Sequence, residues 1–283
     1  DQRGSGASRP RGHLRGQTAS ALVADLEALR VHLGLARWHV LAGSWGTVLA
    51  LCYAQAHPQR VASLVLRGAF ALTRGEIAGV LMPAPRWVKT LRLAPAQRPA
   101  GGRLALASVL AHRVQLLQSA TPAVASLRAA RHWALMETLL AAHGQRRAAR
   151  LAPNDMALRR VWAGTQRALR RARAQAEQPR SERRDRALWA KFRIQAHLLR
   201  RRAGLRAGAL DRAVIAAARA GVPMHWLHGE CDAVCPFDNS RRWAALARDH
   251  GGPATLVRVH SGHLATEPAM ARALRDAVRG VSA

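Results

Sequence analysis

The sequence predicts an α/β fold in which a parallel sheet, flanked by helices, is interrupted by a long all-helical segment. Short apolar runs near both ends of the chain alternate with helical patterns, and this alternation is typical of a parallel sheet with helices on its faces. Between them, residues 71–220 have helical composition and almost no strand signal. With 283 residues, of which 49% are hydrophobic, the chain can bury a sizeable core.

The first elements follow from apolar spacing and from helix-ending residues. Residues 18–33 form a predicted amphipathic helix, which Thr18 or Ser20 can cap and Gly34 can end. Residues 38–42 are an apolar run too short for a helix, and residues 47–56 read as a buried helix that stops before Pro58. The predicted order is therefore helix, strand, sharp turn, helix.

Three further strands are predicted at residues 63–66, 223–228 and 254–259. They divide the chain into an N-terminal core segment, 1–70, a helical cap, 71–220, and a C-terminal core segment, 221–283.

The net charge of +29 suggests a polyanionic partner, but its distribution argues against nucleic-acid binding as the main role. All basic residues except Lys89 and Lys191 are arginines, and they are spread through alanine-rich and leucine-rich sequence. The predicted cap holds 30 Lys and Arg against 7 Asp and Glu. The charge therefore belongs mainly to the cap.

Composition also bears on the compartment. The odd number of cysteines, Cys52, Cys231 and Cys235, fits a reducing, cytoplasmic setting. No run of 18 apolar residues indicates a membrane span. The chain begins at Asp1 without a methionine, so we expect part of the N-terminus to be missing. The oligomeric state does not follow from the sequence.

Residues 41–47, LAGSWGT, place Ser44 between a predicted strand and a predicted helix. In α/β-hydrolases the nucleophilic serine occupies such a strained turn, between small residues two positions before and two after it. Here those residues are Ala42 and Gly46, and alanine is the mildest departure from glycine. The alternative is an ordinary turn serine.

Two later residues complete the order that this fold requires, which is serine, acid, histidine. Asp232 follows the third predicted strand in HGECDAVCP, and His263 follows the fourth in HSGHLATEP. Open α/β sheets place their sites at the carboxyl ends of the strands. The sequence therefore predicts a triad in which Ser44 attacks a carbonyl carbon, His263 transfers the proton and Asp232 orients the imidazole.

These motifs, together with DQRGSGASRP at 1–10 and the stretch 22–70, resemble proline iminopeptidase, a serine peptidase family with the α/β-hydrolase fold. The resemblance covers about 70 N-terminal residues and the last 60. It implies an aminopeptidase that releases N-terminal residues, preferentially proline, from small peptides. It implies no metal and no organic cofactor.

The resemblance also suggests residues that bind the substrate's amino group. In AARHWALMETLL, at 129–140, Glu137 stands where the family carries an acid, and Met136 replaces the family's tryptophan. A carboxylate offsets the desolvation of an ammonium group. A second family glutamate corresponds to Gln195, and leucines replace the aromatic pair that follows.

Stabilisation of the tetrahedral intermediate needs backbone donors. The amide of Trp45 is the predicted first donor, and the family's His-Gly-Gly-Pro-Gly loop, which supplies another, would precede this sequence. Loss of one such donor typically costs about 10² to 10³ in rate. We therefore expect the chain alone to be a fragment or degraded copy with impaired turnover, and the strand at 38–42 to be an unpaired edge.

Three alternatives remain open. His225, His228, Cys231 and Cys235 contain the ligand types of a zinc site, although their spacing is not a usual zinc pattern. The substrate could instead be an ester, an epoxide or another small acyl compound, because the fold does not fix the function. The chain could also be an inactive hydrolase-like module whose basic cap binds acidic partners, which steep salt dependence of binding without hydrolysis would favour.

Overall fold

The computed structural model describes residues 1–81, 112, 114–118, 121–178 and 181–282. Within them, four strands form one parallel sheet, in the order β1-β2-β3-β4. The strands are β1 Trp38–Gly43, β2 Val61–Arg67, β3 Met224–Gly229 and β4 Ala254–Val259. All four lie where the sequence predicted strands.

Nine α-helices with described bounds complete the architecture, and residues 112 and 114–117 are also helical. The nine are α1 Ala19–His32, α2 Trp45–Ala56, α3 Arg74–Leu81, α4 Val124–Leu151, α5 Met156–Glu177, α6 Glu182–Arg200, α7 Ala209–Arg219, α8 Phe237–Asp249 and α9 Pro268–Ser282. The predicted cap of α1 is present, because the Thr18 side chain accepts a hydrogen bond from the Ala21 amide at 3.2 Å. Helix α2 begins two residues earlier than predicted, directly after Ser44.

Contacts divide the chain into two compact units. The sheet unit contains Thr18–Leu72, Ala141–Gly164 and Gly204–Ala283, and the helical unit contains Asp1–Gln17, Thr73–Leu140 and Thr165–Ala203. The sheet unit therefore includes all four strands and the segments that follow them.

The inner strands of the sheet unit carry its core. Strands β2 and β3 are buried along almost their whole length, as a parallel sheet covered by helices requires. Val65, Leu227 and Val259 pack against Met270 of α9. Strand β1 pairs only with β2 within the described residues, and Leu41 on it is 56% exposed.

The helical unit has a core of its own. The rings of Trp133 and Phe192 stack with centroids 5.1 Å apart. Arg131 and Asp185 form a buried ion pair at 2.7 Å. The segment Asp1–Gln17 contacts α6, where Arg193 donates a hydrogen bond to the Gly12 carbonyl at 3.1 Å.

The long helix α5 separates its apolar and charged residues. Its buried side chains include Leu158, Leu169 and Ala176. Its exposed arginines are Arg159, Arg160, Arg167, Arg170, Arg171 and Arg173.

A search of the described residues for a helix of the length and hydrophobicity that a membrane span needs finds none.

Truncation of a buried sheet leucine tests this core. Leu66 on β2 is completely buried. Leu66→Ala should lower the free energy of unfolding by about 2 to 5 kcal/mol, because it removes buried methyl groups and leaves a cavity. Leu41→Ala, on the adjacent strand, is the matched control and should change it by no more than about 0.5 kcal/mol. Urea titration followed by tryptophan fluorescence measures both, and equal losses would contradict the assigned core.

Candidate active site

The turn between β1 and α2 consists of Ser44 alone. Its backbone has φ 54° and ψ −124°, in a region that residues other than glycine rarely occupy. Such a conformation costs about 1 to 3 kcal/mol and persists only where the surroundings enforce it. Ser44 therefore has the strained strand-to-helix geometry that the sequence predicted for a nucleophile.

Hydrogen bonds and small neighbours hold this turn. The Ser44 amide donates to the Arg67 carbonyl at 2.9 Å, and the Thr47 hydroxyl donates to the Ser44 carbonyl at 2.7 Å. A Cβ at Gly43 would collide with the Arg67 guanidinium, so the guanidinium or the turn would have to move to admit a larger residue. A Cβ at Gly46 would lie 3.6 Å from the Ala42 methyl, which is ordinary contact, so alanine at position 42 is accommodated.

The structure brings the three predicted triad residues into one hydrogen-bonded chain. The Ser44 hydroxyl lies 3.1 Å from Nε2 of His263. Nδ1 of His263 lies 2.7 Å from Oδ2 of Asp232. If Nδ1–H donates to the carboxylate, Nε2 is left as the acceptor for the serine proton. The arrangement can remove a proton from Ser44 and stabilise the resulting imidazolium.

Asp232 is held as a buried anion. Its side chain is 1% exposed, and Oδ1 accepts hydrogen bonds from the amides of Val234 at 2.8 Å and Cys235 at 2.9 Å. Burial alone would raise the pKa of Asp232, but hydrogen bonds from His228 and His263 outweigh burial and hold it below its ordinary value. Asp232 therefore stays ionised across the neutral and mildly acidic range.

His228 was considered in the sequence only as a metal ligand, yet it supports the acid. Its buried ring binds the Ser240 hydroxyl through Nδ1 at 2.7 Å and the Cys235 carbonyl through Nε2 at 3.1 Å. The same Nε2 lies 3.5 Å from Oδ2 of Asp232. The sequence did carry a signal for this role, because His228 lies near the end of β3, four residues before Asp232.

Arg67 is a second residue that the sequence did not indicate. It ends β2, and its Nη1 donates to the His263 carbonyl. Burial lowers the pKa of Arg67, while the negative charges of Asp232 and Glu267 act in the opposite direction. The adjacent Gly68 has φ 55°, and a Cβ there would lie 3.3 Å from Oδ2 of Asp232. The end of β2 therefore lies directly beside the triad.

The predicted oxyanion donor, Trp45, is the first residue of α2. Backbone N–H groups in the first turn of a helix point toward its N-terminus and lack acceptors within the helix. Trp45 follows Ser44 directly, as the fold requires of this donor. Its role as a donor remains a prediction.

The predicted amine-binding residues meet each other inside the helical unit. Glu137 on α4 accepts hydrogen bonds from Nζ of Lys191 at 2.8 Å and from Nε2 of Gln195 at 2.8 Å. The Glu137 side chain is 32% exposed. Lys191 was not anticipated, and it already supplies this carboxylate with a cation. The substrate-binding roles of Glu137 and Gln195 remain predictions.

The residues of the possible zinc site have other contacts. Nδ1 of His225 binds the Thr255 hydroxyl at 3.0 Å, and both ring nitrogens of His228 have protein partners. In the part of the chain that the structure describes, no three His, Cys, Asp or Glu side chains form a potential metal cluster. The three cysteines of the sequence are not joined by disulfide bonds.

Comparison with known proteins shows which family the sequence matches. A family model described as alpha/beta hydrolase fold matches residues 1–268. Among solved structures, an alpha/beta hydrolase enzyme from a Medee basin deep-sea metagenome library is 15% identical, with a TM-score of 0.52, and covers 99% of this chain and 77% of that one. A meta-cleavage product hydrolase is 17% identical, with a TM-score of 0.50, and covers 99% and 77%. The predicted fold class is confirmed.

Curated relatives match a shorter stretch. Proline iminopeptidase of Xylella fastidiosa is 56% identical over 77 residues, which is 27% of this chain and 25% of the relative. Probable proline iminopeptidase of Leptolyngbya boryana is 48% identical over 88 residues, 31% and 27% of the two chains. Proline iminopeptidase of Arabidopsis thaliana is 52% identical over 77 residues, 27% and 20%. The matches span about a quarter of these relatives, and they confirm the predicted resemblance.

An added methyl group at Gly43 tests the geometry of the turn. Gly43→Ala forces the turn or the Arg67 guanidinium to move, so labelling of Ser44 by a fluorophosphonate should slow by about 10-fold to 100-fold, the usual penalty for a misplacement near 1 Å. Gly280→Ala on α9, where a Cβ meets nothing within 4 Å, is the matched control and should label at the normal rate. Normal labelling of the Gly43 variant would contradict this expectation, because it would mean that the guanidinium moves aside and Ser44 keeps its position.

Proposed function

The chain belongs to the alpha/beta hydrolase fold family, and on this premise we propose that it is a serine aminopeptidase that releases N-terminal proline from small peptides. One observation carries the proposal: Ser44, on a strained turn, is hydrogen-bonded to His263, which is hydrogen-bonded to the buried Asp232. This geometry supports acyl transfer.

In the proposed first step, the Ser44 hydroxyl attacks the carbonyl carbon of the N-terminal residue while His263 takes its proton through Nε2. Asp232 holds the imidazole by Nδ1 and stabilises its positive charge. The negative charge on the substrate oxygen is received by the Trp45 amide at the start of α2. His263 then donates its proton to the leaving amine, and an acyl-enzyme remains.

In the second step, water attacks the ester carbon of the acyl-enzyme while His263 takes a proton from the water. Collapse of the tetrahedral intermediate returns the proton to Ser44 and releases the free amino acid. The low pKa of Asp232 supports this cycle, because a carboxylate that stays ionised can stabilise the imidazolium in both steps.

The choice of substrate rests on the relatives and on charge. The curated relatives carry the name proline iminopeptidase. An aminopeptidase must recognise a free ammonium group, and we assign this role to Glu137 with Gln195 beside it. Because Lys191 binds the same carboxylate, the substrate's ammonium group would share or replace that contact.

Substitution of the nucleophile tests the reaction. Ser44→Ala should lower the hydrolysis of a proline arylamide by about 10⁴-fold or more, because no group replaces the attacking oxygen. Ser20→Ala, an exposed serine near the start of α1, is the matched control and should leave the rate unchanged. Ser44-dependent hydrolysis of aryl esters, with no cleavage of the arylamide, would replace the peptidase proposal by an ester hydrolase. Inactivity on both would favour an inactive hydrolase-like module.

Neutralisation of Glu137 tests the amine site. Glu137→Gln should raise KM for the proline arylamide by about 10-fold to 100-fold, the usual loss when a hydrogen bond to a charged group is removed. Hydrolysis of an acetyl ester, which lacks the ammonium group, should not change. Glu182→Gln, an exposed acid on α6, is the control. An unchanged KM would mean that Glu137 serves only its contacts with Lys191 and Gln195.

A further inference from the structure

The loop between β4 and α9 carries His263 and ends in a buried acid with no part in the mechanism above. Glu267 precedes Pro268, the first residue of α9, and is 1% exposed. Pro268 is well suited to the first position of a helix because it needs no hydrogen-bond acceptor there. Glu267 is the residue directly before this helix, but its side chain bonds to the preceding loop and not to the first turn of the helix.

The Glu267 carboxylate binds the backbone on both sides of His263. Oε2 accepts the Gly262 amide at 2.7 Å, and Oε1 accepts the Leu264 amide at 2.9 Å. The side chain of Gln145, on α4, provides a further hydrogen bond. The two backbone donors precede α9, so the carboxylate fixes the loop rather than the first turn of the helix.

The backbone of His263 itself is held from the opposite direction. Its carbonyl accepts a hydrogen bond from Arg67 at the end of β2. Three successive residues, Gly262, His263 and Leu264, therefore have their backbone fixed by two charged side chains from separate elements. Hydrogen bonds to charged groups are the stronger ones, so this loop has few alternative conformations.

Close packing around the loop removes the remaining freedom. A Cβ at Gly262 would lie 2.9 Å from Oε1 of Glu267 and 3.0 Å from the backbone nitrogen of Gln145. A Cβ at Gly144 would lie 2.5 Å from the Cys231 carbonyl, and one at Gly229 would collide with the Gly262 carbonyl. Backbone from α4, β3 and the loop thus meets without intervening side chains, and any shift of the loop is resisted from both sides.

Burial of this carboxylate costs free energy, because it removes a polar group from water. It raises the pKa of Glu267, although the two amides and Gln145 act to lower it. A buried acid is retained at lower cost where its oxygens accept hydrogen bonds. Both oxygens are used here, and each accepts the backbone N–H of a residue next to His263.

From these contacts we propose that Glu267 is a positioning residue for His263, which sets the orientation of the imidazole between Ser44 and Asp232 through the backbone on either side. The inference depends on the catalytic role proposed above for His263.

The variant Glu267→Gln keeps the shape of the side chain but turns one acceptor oxygen into an NH₂ group that faces a backbone N–H. The kcat for proline arylamide should fall by about 10-fold to 100-fold, because a small misplacement of a reacting group has that effect. KM should stay within about twofold, since the substrate's own contacts are unchanged. Asp276→Asn, an exposed acid-to-amide change on α9, the helix that follows Glu267, should leave both constants unchanged.

A second readout does not require turnover. The proton on Nδ1 of His263, bonded to Asp232, should give a low-field proton NMR signal that disappears in His263→Ala. In Glu267→Gln this signal should shift or broaden, while in Asp276→Asn it should remain. An inactive parent chain with this NMR response would contradict the proposed reaction but support the positioning role.

The result that overturns the proposal is a Glu267→Gln variant with normal kcat and an unchanged His263 signal. A fall in activity that only matches the fraction of unfolded protein would also overturn it, because that is a purely structural effect. If this variant does not fold, Gln145→Leu removes one partner of the carboxylate from a different helix. It should lower kcat by about 2-fold to 5-fold at constant KM and perturb the same signal, and no change in either would refute the proposal.

Discussion

Parallel pairing of the strands is the constraint on which the site depends. Ser44, Asp232 and His263 are far apart in the sequence, and each follows a different strand: β1, β3 and β4. Because the four strands pair in parallel, their carboxyl ends lie at one edge of the sheet. Strand β2 ends at that edge too, which explains why Arg67 and Gly68 lie beside the triad.

The two buried acids at this edge, Asp232 and Glu267, have different partners and opposite shifts in pKa. Asp232 is bonded to two histidines and two backbone amides, and its pKa is lowered despite burial. Glu267 has backbone amides and Gln145 as partners, and burial raises its pKa. The guanidinium of Arg67 carries a positive charge close to both. The first acid therefore acts on the ring of His263, while the second fixes its backbone.

Sequence patterns were sufficient for the strands, and they indicated three residues that the structure joins by hydrogen bonds. Strand runs and chain order identified Ser44, Asp232 and His263, because each follows a strand by a few residues. The start of α2 was placed too late, since Trp45 and Gly46 do not resemble a helix start and the helix begins at the strained turn itself. The buried face of β2 and β3 was predictable from their apolar runs alone.

Contacts between distant residues were not predictable in the same way. Lys191 binds Glu137 across 54 positions of sequence, and no local spacing indicates that pair. Glu267 and Arg67 act on backbone groups, which every residue carries, so their partners leave no signature in the side chains. The motif SGHLATEP contained Glu267, but nothing in its spacing indicates that the side chain reaches back to the amides on either side of His263.

Capture of the acyl-enzyme tests whether Ser44 is the nucleophile. The chain is mixed with an activated proline ester, quenched in acid within milliseconds to seconds and digested for peptide mapping by mass spectrometry. The proposed mechanism predicts a prolyl adduct on the peptide that contains Ser44, which accumulates and then decays as water releases the proline. A prolyl adduct on another side chain, or release of free proline without any adduct on Ser44 at any time, would contradict it.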